Sequence, residues 1–261
     1  MSPVDLEARV KLAGKVAIVT GGSRGIGRAT CLALAREGAA VVVNHSKSAS
    51  EADAVVAAIR GNGGDAMAIQ ADVSDDAAVR AMVGSTVARF GGLDILVNNA
   101  GWTKLTPHAE MERLSDEIID RTLAVNTKGP LYCCRAAIPV MQAKGGGHIV
   151  NITSVAGKLG VGSTIAYAGS KAALSAMTKA LARAFAPAIR VNAVAPGMVD
   201  THFADWSRAD VEKAREMGHI ARLVTVDDVA AVILFLVTDG SVLTGEEIVV
   251  VGGIVALGGR G

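Results

Sequence analysis

Residues 16–27, VAIVTGGSRGIG, join a run of β-branched residues to a glycine-rich turn and the start of an Ala- and Leu-rich stretch. The apolar run predicts a buried strand, and Gly21 permits a tight turn at an unusual backbone φ. Gly25 and Gly27 allow close backbone approach, and a helix that begins here presents free N–H groups to phosphate. The alternative is a plain strand-to-helix turn, but the strand before it and the helix after it favour a dinucleotide site.

The rest of the chain continues this alternation of short apolar strands with Ala-rich helical stretches. Parallel strands need crossover connections, so the pattern predicts an α/β fold with a doubly wound parallel sheet of seven strands. No linker or repeat divides the sequence, and we expect one Rossmann-type domain over residues 1–261. Strands are predicted at 16–20, 40–44, 66–71, 93–97, 148–153, 189–194 and 248–251, and helices near 26–37, 50–61, 75–90, 115–143, 165–186 and 226–238.

Composition narrows the class of protein further. Apolar residues make up 51% of the 261 residues, and the net charge of +1 gives no indication of a nucleic-acid partner. The longest apolar run, 229–237, is too short to cross a membrane, and the N-terminus does not resemble a signal peptide. Three cysteines and five scattered histidines lack metal-ligand spacing, so we expect no metal and a reducing, cytoplasmic location.

Residues 198–222 break the alternation with a more polar segment. This segment follows a predicted strand and therefore belongs at the carboxyl edge of the sheet, where open α/β sheets bind ligands. It is equally well interpreted as a short helical substrate lid or as an ordinary surface insertion.

The end of the second strand bears on cofactor choice. Sites for NAD usually place Asp or Glu there to bind the ribose 2′-hydroxyl. Here the strand ends at Asn44, with His45, Ser46 and Lys47 following. No carboxylate repels a 2′-phosphate, and Arg24, Ser46 and Lys47 could bind one, which favours NADP(H). Alternatively, the cations are solvated and both cofactors are accepted.

Tyr167 and Lys171 are spaced four residues apart, on one face of a predicted helix. Lowering a phenol pKa from about 10 to about 7 requires roughly 4 kcal/mol, and one ammonium at ~4 Å supplies about that much. We therefore expect Lys171 to lower the pKa of Tyr167 and make it a usable proton donor. A Tyr-x3-Lys pair alone is often only a solvated helix face.

Other polar residues follow predicted strands at the same sheet edge. Ser154 ends the fifth strand, where its hydroxyl could hold a substrate oxygen. Residues 98–101, NNAG, follow the fourth strand, and Pro196-Gly197 follows the sixth. Asn126 begins an Ala-rich helical run; it is either functional or else an N-cap or an exposed polar residue.

Together these residues resemble the single-domain branch of the short-chain dehydrogenase/reductase family, over residues 12–253. Ser154 precedes Tyr167 by thirteen residues, which is the family's usual interval. The pattern is most similar to that of 3-oxoacyl-acyl-carrier-protein reductases and related ketoreductases. The matching motifs are Thr20-Gly21-x3-Gly25-x-Gly27, Asp72-Val73, Asn98-Asn99-Ala100-Gly101, Asn126, Ser154, Tyr167-x3-Lys171 and Pro196-Gly197.

The resemblance implies an NADP(H)-dependent interconversion of a ketone and a secondary alcohol, with Tyr167 as acid–base residue. It implies that Ser154 positions the carbonyl, Lys171 holds the nicotinamide ribose and Asn126 holds a relay water. It also implies a homotetramer in which helices 115–143 and 165–186 meet across one interface and the C-terminal strand across another. The implied cofactor contacts are Gly21, Ser23, Arg24, Gly25, Ile26, Gly27, Asn44, Ser46, Lys47, Asp72, Val73, Asn98, Ala100, Gly101, Tyr167, Lys171, Pro196, Gly197, Val199 and Thr201.

Two positions depart from the family pattern: Val251 replaces a C-terminal Asp, and Trp102 stands where a smaller residue is common. Trp102 and Trp206 fall in loops that should border the active site, so an apolar, aryl-bearing substrate is one hypothesis, and tryptophan packing at a subunit interface is the other. The substrate pocket is predicted from Trp102, Leu159, Met198, Phe203 and Trp206.

Three other functions are compatible with the sequence. A carrier-protein reductase would need a basic patch, for which Lys128, Lys158 and Arg208 are candidates. A regulator that senses NADP without turnover is a second alternative, although such proteins lose catalytic residues that are intact here. A sugar-nucleotide epimerase or dehydratase is a third, but it needs a larger C-terminal region.

Overall fold

The computed structural model describes residues 10–199, 201, 203, 207–220 and 222–258. Within them, seven parallel strands form one sheet in the order β3-β2-β1-β4-β5-β6-β7. The strands are β1 (Val16–Val19), β2 (Ala40–His45), β3 (Ala66–Gln70), β4 (Ile95–Asn98), β5 (Gly147–Ile152), β6 (Ile189–Pro196) and β7 (Glu247–Val250). The predicted doubly wound sheet is therefore confirmed, with strand ends that differ by one or two residues.

Helices cover both faces of this sheet. Buried side chains of α1, α2 and α9, such as Leu34, Ile59 and Ile233, pack on one face. On the other face lie buried side chains of α3 and α5, such as Met82 and Met141. The helices are α1 (Gly25–Arg36), α2 (Ala49–Gly61), α3 (Asp76–Phe90), α4 (Asp116–Leu123), α5 (Gly129–Ala143), α6 (Ala156–Leu159), α7 (Ile165–Phe185), α8 (Arg208–Met217), α9 (Val226–Val237) and α10 (Ile254–Leu257).

The sheet order reverses direction between β1 and β4. β1 pairs with β2 on one side and with β4 on the other, so the loops after β1 and β4 diverge to opposite faces. Open α/β sheets bind ligands in the crevice at this point. The topology therefore places the glycine-rich loop after β1 where a ligand crevice forms.

The predicted helix at 115–143 is interrupted by a π-helical turn. The turn spans Ala124–Lys128 and joins α4 to α5. Such turns insert an extra residue into the ladder of hydrogen bonds and often occur at functional sites. Asn126 lies in this turn and is buried, so it is neither an N-cap nor an exposed residue.

Within its described residues, the segment at 198–222 contains the helix α8, which agrees with the short helical segment predicted there. Ser207 caps it, because its hydroxyl oxygen accepts from the Asp210 N–H while the Asp210 carboxylate accepts from the Ser207 N–H. Residues 200, 202, 204–206 and 221 lie outside the described residues.

His148 makes stability depend on pH. Burial, together with the charges of Arg190 and Lys15, lowers the His148 pKa from 6.5 to about 4. On acidification, His148 is therefore protonated near pH 6.5 in the unfolded chain but only near pH 4 in the folded protein. Because the unfolded chain binds more protons between these values, lowering the pH through this range destabilises the fold. When the pH falls from 7 to 5, the free energy of unfolding of the wild type should decrease by about 1–2 kcal/mol more than that of H148Q. Urea denaturation of both proteins at the two pH values measures this difference. Equal losses in both proteins would contradict this assignment.

Candidate active site

The glycine-rich loop has the backbone conformation that its sequence predicts. Gly21 and Gly25 adopt positive φ values of 61° and 53°. At Gly27 a Cβ would lie 2.1 Å from the Gly21 carbonyl oxygen, so only glycine allows α1 to start this close to β1. Arg24 precedes α1 without a side-chain cap, which leaves the first N–H groups of the helix available to an anion. This cradle fits the pyrophosphate of a dinucleotide.

Hydrogen bonds tie this loop to the loop after β4. The Thr20 hydroxyl oxygen accepts from the Asn99 and Ala100 N–H groups at 2.9 and 3.0 Å. The Asn99 amide donates to the Thr20 and Gly21 carbonyls at 2.9 and 3.0 Å. Both sides of the crevice are therefore held in one rigid arrangement.

A cavity of about 1360 Å³ lies along the carboxyl edge of the sheet. Ser154, Tyr167 and Lys171 line it, as do Trp102, Met198 and Phe203 from the predicted substrate pocket. Most predicted cofactor contacts also line it: Gly21, Ser23, Arg24, Gly25, Ile26, Asn44, Ser46, Lys47, Asp72, Val73, Ala100, Gly101, Pro196, Gly197, Val199 and Thr201. The structure therefore brings most of the predicted catalytic and cofactor residues to one cavity.

Some predicted residues do not line the cavity. Asn98, Asn126 and Gly27 are buried behind it and shape it from within the fold. Leu159 is not part of the lining, because it ends the short helix α6 and is 48% exposed. Trp206 lies outside the described residues.

Asn44 lies inside β2, which continues to His45, so the first residue after the strand is Ser46. The Asn44 side-chain oxygen accepts from the Gly21 N–H at 3.2 Å, and its amide donates to the Ala71 carbonyl at 3.0 Å. The Asn44 side chain therefore joins the loops after β1 and β3. This places Asn44 as a support for the glycine loop, while Ser46 and Lys47 are exposed at the rim.

The rim of the cavity near Ser46 is basic. Arg24, Arg28, Arg36 and Lys47 line it and are exposed. Within the described part of the chain, none of these four cations forms an ion pair with a carboxylate. Such a set of free cations suits a phosphate group. The sequence reading missed Arg28 and Arg36, although their position on α1 after the glycine loop was a usable signal.

Asp72 is held by neighbours from α4 and its own loop. Its carboxylate accepts from Arg121 Nη2 at 2.8 Å and from the Ser74 hydroxyl at 2.7 Å. Burial raises the pKa of Asp72, but the hydrogen bonds from Ser74 and Arg121 outweigh burial and keep it below its ordinary value. Asp72 is thus an ionised, fixed acceptor at the edge of the cavity, and its contact with the cofactor stays a prediction.

Three polar side chains form the catalytic candidate. Ser154 follows β5, and its hydroxyl oxygen accepts from the Ala156 N–H at 3.1 Å. Thr164 caps α7 by accepting from the Tyr167 N–H at 2.8 Å, which sets where the helix begins. Lys171 follows Tyr167 by one turn, and its ammonium donates to the Ile152 carbonyl at 2.7 Å. The ends of β5 and α7 thereby place the three side chains together.

The pKa of Tyr167 differs from the sequence expectation. Burial raises it to about 12, and the Ser154 hydroxyl opposes this only in part. Burial also lowers the pKa of Lys171 to about 8, and its nitrogen lies 5.7 Å from the centroid of the Tyr167 ring. The expected pKa near 7 was therefore wrong for these side chains alone, because burial of the phenol outweighs the hydrogen bond from Ser154, and the Lys171 ammonium is too distant to offset it.

Asn126 fixes the loop that carries Trp102. Its side-chain oxygen accepts from the Trp102 N–H at 2.8 Å, and its amide donates to the Trp102 carbonyl at 2.9 Å. The same amide donates to the Ser170 hydroxyl at 3.1 Å, on the helix of Tyr167 and Lys171. The side chain is therefore fully used inside the protein, and the relay water implied by the resemblance stays a prediction.

Apolar side chains line the end of the cavity beside Tyr167. The rings of Tyr167 and Phe203 are 5.9 Å apart at their centroids and tilted by 53°. Trp102, Val155 and Val161 also line the cavity. Sequence reading missed the two valines, which lie in irregular segments without a distinguishing pattern.

The three cysteines are buried and unpaired. Burial raises the pKa of the Cys134 thiol to about 12 and also raises those of Cys31 and Cys133. Within the described ranges, no group of three or more His, Cys, Asp or Glu side chains is arranged to hold a metal ion. Across the same ranges, no helix has the length and apolar character needed to cross a membrane.

The fold and this site define a short-chain dehydrogenase, and sequence comparison supports the same conclusion: the chain belongs to that family, whose model (short chain dehydrogenase) matches residues 15–212. It is 42% identical over 250 residues to an uncharacterized oxidoreductase of Methylorubrum extorquens, covering 94% of this chain and 99% of that one. It is 40% identical over 247 residues to the 3-oxoacyl-[acyl-carrier-protein] reductase of Synechocystis, covering 94% and 98%.

A solved structure also matches along nearly the full length. The short chain dehydrogenase of Burkholderia cenocepacia, crystallised in complex with NADP, is 41% identical and superposes with a TM-score of 0.87. The match covers 94% of this chain and 100% of that one. The chain is thus an oxidoreductase of a family that uses NAD(P).

Replacing Asn126 should destabilise the π-helical turn. In N126A the half-buried N–H and carbonyl of Trp102 lose their partners, which should cost about 1–3 kcal/mol of unfolding free energy. N126D keeps an acceptor for the Trp102 N–H and should lose less. Urea denaturation of the two variants measures this, and an N126A protein as stable as wild type would refute the assignment.

Proposed function

We propose that this enzyme interconverts a ketone and a secondary alcohol with NADP(H), and that Tyr167 is the proton donor. The observation that supports it most directly is that Ser154, Tyr167 and Lys171 line the same cavity as the glycine-rich loop. A bound nicotinamide dinucleotide supplies or accepts the hydride. The side chains of this protein bind the carbonyl oxygen and transfer the proton.

Each side chain has a role that its environment supports. The Ser154 hydroxyl donates to the carbonyl oxygen and holds it in place. Because the pKa of Tyr167 is raised, the phenol remains protonated at neutral pH and can donate to the same oxygen in the reduction direction. Lys171, with a pKa of about 8, can return a proton to Tyr167 near neutral pH, and the relay water implied at Asn126 is part of this proposal.

The basic rim supports NADP(H) over NAD(H). The cations of Arg24 and Lys47 and the hydroxyl of Ser46 all line the cavity, and we expect them to bind a 2′-phosphate there. Asn44 shapes this region through the glycine loop instead of binding phosphate itself. Charge-assisted hydrogen bonds from these groups would discriminate between the two cofactors.

We also propose that residues 1–261 form one domain and that residues 198–222 act as a substrate lid. Met198 and Phe203 of this segment line the cavity beside Tyr167, which favours a lid over a plain surface insertion. A homotetramer and a cytoplasmic location are further proposals, and three buried free cysteines suit a reducing compartment.

The substrate that fits best is a neutral ketone with apolar groups on either side of the carbonyl. Among the described residues, Lys171 is the charged side chain beside Ser154 and Tyr167, while the surrounding lining is apolar. A reductase of carrier-bound 3-oxoacyl groups is the second candidate, favoured by the Synechocystis relative. The basic patch that such a reductase would need is smaller in this structure. Of its three candidate residues, Lys158 is paired with Glu247, which leaves Lys128 and Arg208.

The first test is NADPH oxidation by the purified protein across a panel of neutral aryl and alkyl ketones, 2-oxo acids and carrier-bound 3-oxoacyl groups. Neutral ketones should be reduced faster than 2-oxo acids, and Y167F should lower kcat by about 10²–10⁴-fold because it removes the proton donor. Tyr132 is the matched control, since Y132F removes a hydroxyl outside the cavity.

Three other results of this experiment would contradict the proposed donor or favour another function. Turnover that survives in Y167F would refute the proposed donor. Tight NADPH binding without turnover on any substrate would favour the sensor, and preference for carrier-bound groups would favour the second candidate.

The cofactor preference is tested by removing the cations. R24A and K47A should each raise the KM for NADPH about tenfold, since one charge-assisted hydrogen bond is worth roughly 1.5–3 kcal/mol. The KM for NADH should change little, because NADH lacks the 2′-phosphate. Equal effects on both cofactors, or a wild-type preference for NADH, would refute the assignment.

A further inference from the structure

Glu247 is a buried carboxylate on the edge strand β7. Its side chain is only 8% exposed, although β7 itself is half-buried. Three donors surround it: the hydroxyls of Thr153 and Ser175 donate to Oε1 at 2.6 Å each, and Lys158 Nζ lies 2.5 Å from Oε2. Buried carboxylates are costly unless paired in this way, so the site is built to keep the charge.

The three donors come from the segments that carry the catalytic candidates. Thr153 immediately precedes Ser154, and Lys158 lies on α6, which begins two residues after Ser154. Ser175 lies one helical turn beyond Lys171 on α7. One carboxylate therefore links β7 to the turn that holds Ser154 and to the helix that holds Lys171.

The hydroxyls have other acceptors within reach. Thr153 Oγ1 lies 3.0 Å from the Val194 carbonyl, and Ser175 Oγ lies 3.1 Å from the Lys171 carbonyl. Each hydroxyl has one proton, and the shorter contacts are those to the carboxylate, where an ionised acceptor makes the stronger bond. Burial raises the pKa of Glu247, but bonds from Lys158, Ser175 and Thr153 outweigh it and favour the carboxylate. Without the charge, both hydroxyls would turn back to their backbone acceptors.

We propose that Glu247 is a positioning residue for the reaction, which holds Ser154 and Lys171 in register by anchoring the β5–α6 turn and α7 to β7. This inference rests on the proposed function. Glu247 does not line the cavity, so it acts through Thr153, Lys158 and Ser175 and not on the substrate. A displacement of about 1 Å in such a support can cost on the order of 10²-fold in rate.

The test compares E247Q with E246Q in the full-length protein. Glu246 is the adjacent residue, exposed, and its carboxylate makes no side-chain hydrogen bond or ion pair within the described residues. E247Q should lower kcat for ketone reduction by at least tenfold, while the dissociation constant for NADPH changes less than threefold. E246Q should match wild type in both measurements.

Hydrogen–deuterium exchange supplies a readout that does not depend on turnover. Amide exchange of peptides covering residues 153–159 should be faster in E247Q than in E246Q, because the β5–α6 turn loses its anchor. S175A and T153V remove one donor each and leave the carboxylate paired with Lys158. They should lower kcat by smaller factors, and they keep the test available if E247Q does not fold.

The outcomes separate this inference from the proposed function. A wild-type protein that reduces no ketone counts against the proposed function. An active wild type with unchanged kcat in E247Q, or in both S175A and T153V where E247Q does not fold, overturns the role of Glu247. Faster exchange with unchanged kcat also overturns it, because the contact would then be structural only.

Discussion

The close approach of α1 to the ends of β1 and β4 is the constraint on which the site depends. Gly27 has no room for a Cβ against the Gly21 carbonyl, and Asn99 bonds the carbonyls of Thr20 and Gly21 from the other side of the crevice. This contact aims the free N–H groups of α1 into the crevice at the point where the sheet order reverses. The phosphate cradle and the cavity beside it follow from this contact, while the ends of β5 and α7 place the catalytic candidates along the same edge of the sheet.

Buried amides extend this rigidity through the centre of the sheet. Asn98 donates to Asn151 at 2.9 Å, and Asn151 donates to Thr178 on α7 at 2.9 Å. Asn126 then joins α7 to the loop after β4 through Ser170 and Trp102. Although Asn98 Oδ1 itself has no partner among the described residues, hydrogen bonds of this kind favour one arrangement of a core, since a slip would leave the other buried groups unpaired. The helix that carries Tyr167 and Lys171 is therefore held at several points along its length.

Burial also sets the protonation of the site. The same low-dielectric surroundings that raise the pKa of Tyr167 lower that of Lys171, because each charged form is disfavoured. Glu247, just behind Ser154, keeps its charge only because three donors converge on it. The Glu247 carboxylate thus lies behind the reaction site, while the protonated phenol of Tyr167 and the ammonium of Lys171 line the cavity.

The sequence by itself determined the alternation of strands and helices, the glycine-rich loop and the spacing of Ser154, Tyr167 and Lys171, because these depend on local periodicity and on neighbours along the chain. Only the tertiary structure decided that Asn126 lies in a buried π-helical turn, that Asn44 braces the glycine loop and that Leu159 turns away from the cavity. It also decided the pKa values and the role of Glu247. The physical reason is that burial and pairing join residues far apart in the chain: Glu247 lies 94 residues from Thr153, and no local pattern connects them.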